Sequence, residues 1–351
     1  MSAPAKFGTV MGRSSTLLLL IVPLVAAGVA INALGSPLVI NIYTFLCVNV
    51  VLVLGLQMFM GNSGILNWTY VGFVGIGAFA ASIMSTDASL KAMGVPNMYP
   101  FLAKIQLPVI PSLIIGGLVA AAVAAIIAWP LMRLSNAVGV IVLFATLIVM
   151  HVIMNQWDNV TNGPRTFFGV QAYTTLWVAL AAAVLAILAA HFFRESALGL
   201  RLRASRDDRF AAAAIGVSVV QARYLSFVLS AFVGGVGGGV WAHFITSFSP
   251  KSFYIAEAFL LLTMLVIGGQ GSISGAVLGT TLVTLLREGL RQVETSLGSS
   301  GLVGDVFGLT EVALAILLII ILISRPDGIV GGQELRWPLW KRRKAIEEEG
   351  A

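Results

Sequence analysis

The chain has 351 residues, of which 58% are hydrophobic and only 10% charged, with a formal net charge of +6. A soluble domain carries roughly 25% charged residues, so a chain this long and this apolar cannot cover a water-facing surface and must sit in a membrane. The positive charge does not indicate nucleic-acid binding, because arginine-rich cytoplasmic loops produce it under the positive-inside rule.

The single cysteine, Cys47, lies in an apolar run, which leaves no disulfide framework and no cysteine-based metal site. Residues 1–13 are weakly basic and residues 16–30 apolar, without a small-residue cleavage pattern. This start reads as a first transmembrane helix and not as a removed signal. Taking apolar runs of about 17–25 residues as spans predicts an all-α polytopic membrane protein with about ten transmembrane segments (eight to ten), some broken or short. They fall near 15–34, 38–60, 64–84, 108–128, 137–156, 174–193, 223–246, 253–269, 271–287 and 306–323. Residues 1–14 form a cytoplasmic N-terminus, 15–323 the transmembrane domain with a cytoplasmic loop at 194–222, and 324–351 a cytoplasmic tail. With both termini inside, fifteen Lys and Arg residues fall on the cytoplasmic side and six on the other.

Two segments are poor spans. Residues 61–80 carry Asn62, Ser63, Asn67, Trp68 and Thr69 among glycines, and residues 268–279 read GGQGSISGAVLG. Non-helical backbone at membrane depth is tolerated only where protein or a water-filled path surrounds it, and glycine-broken segments in two halves of a chain point to a transport pathway. Asn62, Asn67, Trp68, Gln270, Ser272 and Ser274 are therefore candidate path-lining residues, expected to lie together. Close helix packing through small residues is the alternative use of such a composition.

The loop 156–173 is turn-rich, with Asp158, Gly163 and Arg165 beside Trp157, Phe167, Phe168 and Tyr173. It reads as a solvated hairpin with an interfacial aromatic belt, and its charged turn is a candidate docking surface for an external partner. Residues 194–223 form a polar island with six arginines and three acids. Burying nine charges near the bilayer centre would cost over ~20 kcal/mol, so the island lies in water. A helix is predicted there, capped by Ser205 with Asp208 three residues on, carried by Phe210 and Ala211–Ala214, and stopped by Gly216 as a left-handed C′ residue. Its small apolar face, with Phe210, Ala213, Ala214 and Val217 at helical spacing, suits a soluble partner; an amphipathic loop resting on lipid is the alternative. The span at 226–241 holds five glycines within six positions (234, 235, 237–239), which allows close approach to a neighbouring helix or subunit.

No phosphate-binding loop of the G-x-x-x-x-G-K-[ST] type occurs, and His151, His191 and His243 are scattered near the ends of apolar runs, more as interfacial residues than as ligands. Glu257 and Glu311 are the acids nearest to span interiors, both close to helix ends. Nothing in this pattern resembles an active site, and no cofactor site is expected in the chain.

Several stretches in order carry a family resemblance: GNSG at 61–64 after Gly55-Leu56, FVGIGAF at 73–79, 139–163, LGLRLRASRDDRFAAAAIGVS at 198–218, SFVLSAFVGGVGGGVWAH at 226–243, SPKSF at 249–253, VIGGQGSISGAVLG at 266–279 and RPDGIVGG at 325–332. Together these resemble the LivM-type permease subunits of bacterial branched-chain amino acid ABC transporters. The resemblance implies an inner-membrane permease that is not itself an enzyme. It would pair with a second related permease and two cytoplasmic ATPase subunits that hold ATP and Mg, and receive solute from a periplasmic binding protein. It implies that the polar island is the coupling helix, with Arg206, Asp207, Asp208, Phe210, Ala213, Ala214 and Gly216 at the ATPase, and that Asp158, Gly163 and Arg165 face the binding protein. Membrane lipid is the remaining partner and nucleic acid is not one. The run ILNWTYVG at 65–72 departs from the Ser-Leu-Gly-His-like run of many members, and Thr161-Asn162-Gly163 is followed by Pro-Arg, not by a second glycine-rich step. Both departures fall near the expected path, so relatives that carry urea, amides, aromatic acids or nucleosides remain open as substrate readings. A stand-alone channel or ion-coupled carrier is the reading from a different class.

Overall fold

A computed structural model describes residues 5–134, 136–299, 308–324, 328–331 and 334. Helices account for nearly all of the ordered backbone: α1 (Ala5–Leu34), α2 (Pro37–Ser63), α3 (Tyr70–Ser85), α4 (Ala88–Gly94), α5 (Pro100–Lys104), α6 (Val109–Leu131), α7 (Asn136–Gln156) and α8 (Asp158–Thr161). They continue with α9 (Leu176–Glu195), α10 (Ala197–Asp207), α11 (Arg209–Ala214), α12 (Val219–Ile245), a 3₁₀ turn Pro250–Phe253, α13 (Ile255–Gly268), α14 (Ile273–Ser299) and α15 (Leu309–Ser324). Among the described residues there is no strand, only one antiparallel bridge between Phe167 and Phe248. Among the described residues, seven helices are long and apolar enough to cross a membrane, and α3 and α13 are shorter apolar helices. With the apolar α15 they match the ten predicted spans one for one. The protein is an all-α, multi-pass membrane protein.

Four boundaries differ from expectation. Residues 64–69 are not the start of the third span but a reversal, and α3 begins only at Tyr70. The ninth span does not end at 287: α14 continues to Ser299 as one 27-residue helix. Helix also extends through most of the predicted N-terminal stretch, from Ala5. The predicted single cytoplasmic helix is in fact two, α10 and α11. Residues 335–351, and the RPD and last glycine of the 325–332 motif, lie outside the described residues.

The core is built around α2 and α12. Every residue of α2 from Leu46 to Ser63 is buried, so this part of the helix is covered on all sides, as an all-round apolar helix must be. The glycines of α12 face inward and pack within the chain against α3 and α6. A Cβ on Gly238 would lie 2.0 Å from the Val74 carbonyl oxygen, and one on Gly235 2.6 Å from Ala120 Cβ. Two side-chain bonds to backbone lock α2 at its middle: Tyr70 Oη donates to Leu52 O at 2.7 Å and Ser230 Oγ to Gly55 O at 2.7 Å. By contrast α1, α6 and α7 leave large apolar residues such as Leu18, Ile126 and Ile141 exposed, the surface that a hydrocarbon medium requires. His243 is not interfacial; it is fully buried, bonded to Ser85 Oγ at 2.8 Å and Gly239 O at 2.7 Å.

Candidate functional site

The polar island is ordered by local capping. Ser196 caps α10, its hydroxyl accepting from Gly199 N at 3.2 Å. Ser205, expected as the cap of the next helix, instead lies inside α10, buried, and donates to Leu202 O at 2.7 Å. The chain breaks at Asp208, whose extended backbone and carboxylate make it the true cap: it accepts from Phe210 N at 2.8 Å and Ala211 N at 3.0 Å. Those two backbone donors hold the Asp208 carboxyl below the usual carboxylate range. At the other end Gly216 has φ +84 and bonds to Ala213 O, while Val217 N bonds to Ala212 O. This pair of bonds is the Schellman stop.

α11 faces the chain through Ala212, which is buried, and turns Phe210 and Ile215 outward at 78% and 79% exposure. Ala213 and Ala214 of α11, Gly216 just after it and Asp207 at the end of α10 are also exposed. Two large apolar side chains this exposed are a candidate docking surface and not a core. Arg206 works inward instead. Its Nη1 donates to Gly61 O at 2.7 Å, tying α10 to the last turn of α2.

That bond leads to the two glycine-broken stretches, which meet. A Cβ on Gly61 would lie 2.3 Å from the Gln270 carbonyl oxygen. The reversal 64–69, opened by Gly64 at φ +71, and the reversal between α13 and α14, opened by Gly269 at φ +113, therefore sit side by side at the α10 end of the bundle. Between the second of these reversals, the end of α9 and α10 lies a cavity of about 430 Å³ lined by Arg194, Arg203, Arg206, Asp207, Gln270 and Gly271, among others. Of the predicted path residues, Gln270 lines this cavity and Trp68 is part-exposed, its ring packed against Phe144 and Phe259 at 5.5 Å. Asn62 is buried and bonds back to Met58 O and Gln57 O of its own helix. Ser272 and Ser274 are buried in a cap: Ser272 Oγ donates to Gly331 O at 3.1 Å, and Glu334 accepts from Ile273 N, Ser274 N and Ser274 Oγ. Glu334 also pairs with Arg194, so the C-terminal segment clamps the α13–α14 reversal to the end of α9.

Polar groups that the sequence reading passed over stand deeper in the bundle. Asn49 and Gln57 of α2 are fully buried, about 12 Å apart along the axis at 1.5 Å per residue. Asn49 donates to Thr284 of α14 at 3.3 Å, and its Oδ1 has no partner; nor has either amide atom of Gln57, nor Asn67 Oδ1. An unsatisfied buried amide costs about 1–3 kcal/mol. α14 is amphipathic along its length, which a lipid-surrounded helix would not be. The sequence signal was present as lone amides within the apolar run 38–60.

At the opposite end, α7 turns through α8 into the loop 162–175. Asn162 and Gly163 take left-handed φ of 65 and 61, and Asn162 Nδ2 donates to Thr166 O at 3.2 Å. Asp158 and Arg165 are exposed, whereas Gly163 is buried in the turn, where a Cβ would strike Asp158 Oδ1. The Phe167–Phe248 bridge fixes this loop over the end of α12.

Over residues 38–324, α2 through α15, the chain matches the family described as the permease component of the branched-chain amino acid transport system. It is similar to the high-affinity branched-chain amino acid transport system permease protein LivM of Escherichia coli K12, 25% identical over 346 residues, 89% of this chain and 74% of that protein. LivH of Salmonella typhimurium is 25% identical over 309 residues, 80% and 91% of the two chains. The nucleoside ABC transporter permease protein NupC of Lactococcus lactis is 32% identical over 131 residues, 37% and 38% of the two. No solved structure matches the chain. A bundle of ten apolar helices, matched over most of its length, thus belongs to the family of branched-chain amino acid transport system permease components, the membrane-spanning subunits of ABC transporters.

Proposed function

We propose that the chain is one permease half of an ATP-driven importer in a bacterial inner membrane, with both termini and α10–α11 in the cytoplasm. It pairs with a second, related permease and two ATPase subunits that hold ATP and Mg, and takes its solute from a periplasmic binding protein. Branched-chain amino acids are the substrate this reading favours. The observation that carries it is α11: a helix of six residues, capped at both ends, that presents Phe210 and Ile215 to water while Ala212 anchors it. So short a helix has no stability of its own, and its exposed apolar pair gains free energy only when a partner covers it. Arg206 joins this element to the paired reversals at Gly61 and Gln270, giving a route from a docked ATPase to the candidate path. Asp158 and Arg165, exposed at the opposite end, would receive the binding protein.

Co-purification tests this reading. Expressed with its neighbouring subunits, the tagged chain should retain ATPase subunits through detergent extraction; solute uptake unchanged by their removal would favour a stand-alone carrier. Nucleoside import is a second reading, favoured by the 32% identity to a nucleoside permease over 131 residues.

A further inference from the structure

At the end of the bundle opposite α10–α11 there is a cavity of about 610 Å³, within the range of small-molecule sites. Two helix faces form its walls. Leu38, Asn41, Ile42 and Phe45 of α2 stand at i, i+3, i+4, i+7 spacing, and so do Thr284, Arg287, Glu288 and Arg291 of α14. Phe244 and Ile245 of α12 close the first side, with Phe244 stacked on Phe45 at a centroid distance of 6.0 Å. One wall is thus apolar and aromatic with a single amide, and the other is charged.

The charged wall is not internally balanced. Arg291 and Glu288 satisfy one another by two bonds, Nε to Oε2 at 3.0 Å and Nη2 to Oε1 at 2.7 Å. Arg287 forms no ion pair or hydrogen bond among the described residues. Glu257, in the first turn of α13, has a buried Oε1 without a partner. Thr284 accepts from Asn49, so its hydroxyl proton is free to donate into the cavity. The Asn49–Thr284 pair also joins the cavity floor to the buried amides of α2.

We infer that this cavity is a recognition site of the permease itself for a small zwitterion with an apolar side chain. Arg287 takes the ligand carboxylate, Glu288, whose Oε2 accepts from Arg291 Nε alone and keeps a further acceptor site, takes the ammonium, and Phe45, Ile42 and Phe244 take the side chain. The inference rests on the importer reading for its orientation, with the cavity as the outer mouth of the path. It adds a specificity step in the membrane to any made by a binding protein.

Equilibrium binding of radiolabelled leucine to the permease complex in lipid nanodiscs, without binding protein, tests it. Saturable binding is expected, with competition by leucine but not by isoamylamine, which lacks the carboxylate, nor by isocaproate, which lacks the ammonium. Arg287→Gln should weaken binding on the order of tenfold or more, the value of a charge-assisted bond, and Arg287→Lys less. The competition profile needs no variant, so it decides even if Arg287→Gln fails to assemble. Absence of saturable leucine binding, equal competition by isoamylamine, or unchanged binding in Arg287→Gln would overturn the site. ATP-driven uptake by the same complex, measured alongside, reports separately on the importer reading.

Discussion

Phe210→Asp separates energy coupling from folding. Phe210 is 78% exposed in the isolated chain, so its loss removes almost no internal packing, and an exposed substitution away from special features changes stability by about 0.5 kcal/mol or less. Docked in a partner's groove, the ring would cover about 150 Å², which at about 25 cal/mol per Å² corresponds to about 4 kcal/mol. Ordering costs on association reduce this, and a carboxylate forced into the same groove adds a desolvation penalty. A loss of at least about 2 kcal/mol is expected, or roughly thirtyfold in affinity for the ATPase subunits. Membrane abundance and pairing with the second permease should match wild type. Retention of the ATPase subunits on a tagged permease, followed by uptake, measures both sides. Wild-type retention and uptake in Phe210→Asp would refute the assignment of this surface.

Asp208 gives a pH signature. Its folded-state pKa is depressed by the backbone N–H groups of Ala211 and Phe210, so its capping contribution is fully present above the ordinary carboxylate range and lost as pH falls through the depressed value. The protection of the Phe210 and Ala211 amides against exchange, relative to their intrinsic rates, should fall on acidification in wild type, while Asp208→Asn, which keeps an accepting oxygen, should show a flat protection profile and Asp208→Ala low protection throughout. Gly61→Val should push the two reversals apart, because its Cβ meets the Gln270 backbone oxygen at 2.3 Å; overpacking of this kind costs about 1–3 kcal/mol, read as a lowered melting temperature with reduced uptake. Gly216→Ala meets no neighbouring atom and should cost only the left-handed backbone penalty, about 1–2 kcal/mol, confined to α11. A cysteine at Arg165 should react with an impermeant thiol reagent from outside and one at Arg203 only after lysis; the reverse pattern would invert the topology.

The ten spans were legible because length and apolarity alone decide what crosses a bilayer. So was Gly216, since few residues other than glycine tolerate φ +84. The split between α10 and α11 was not. Ser205 and Asp208 both suit a cap by residue type, and the choice depends on Ser205 being buried against its own helix, a tertiary fact. The pairing of 61–64 with 268–271 followed from composition, but its position at the α10 end did not, because glycine marks a turn without giving its depth. Asn49 and Gln57 were hidden for the opposite reason: one amide in a long apolar run barely alters its hydropathy. Arg287 and Arg291 fall at and just beyond the end expected of the ninth span, yet α14 continues, its charged face turned to a cavity.

The most direct test of the account is reconstitution of the chain with its second permease, ATPase subunits and binding protein in liposomes, with labelled leucine outside. Accumulation against the gradient should require ATP within, and should vanish when the ATPase subunits are omitted or when Phe210 is replaced by Asp. Uptake of equal rate and extent without ATP or without those subunits would contradict it.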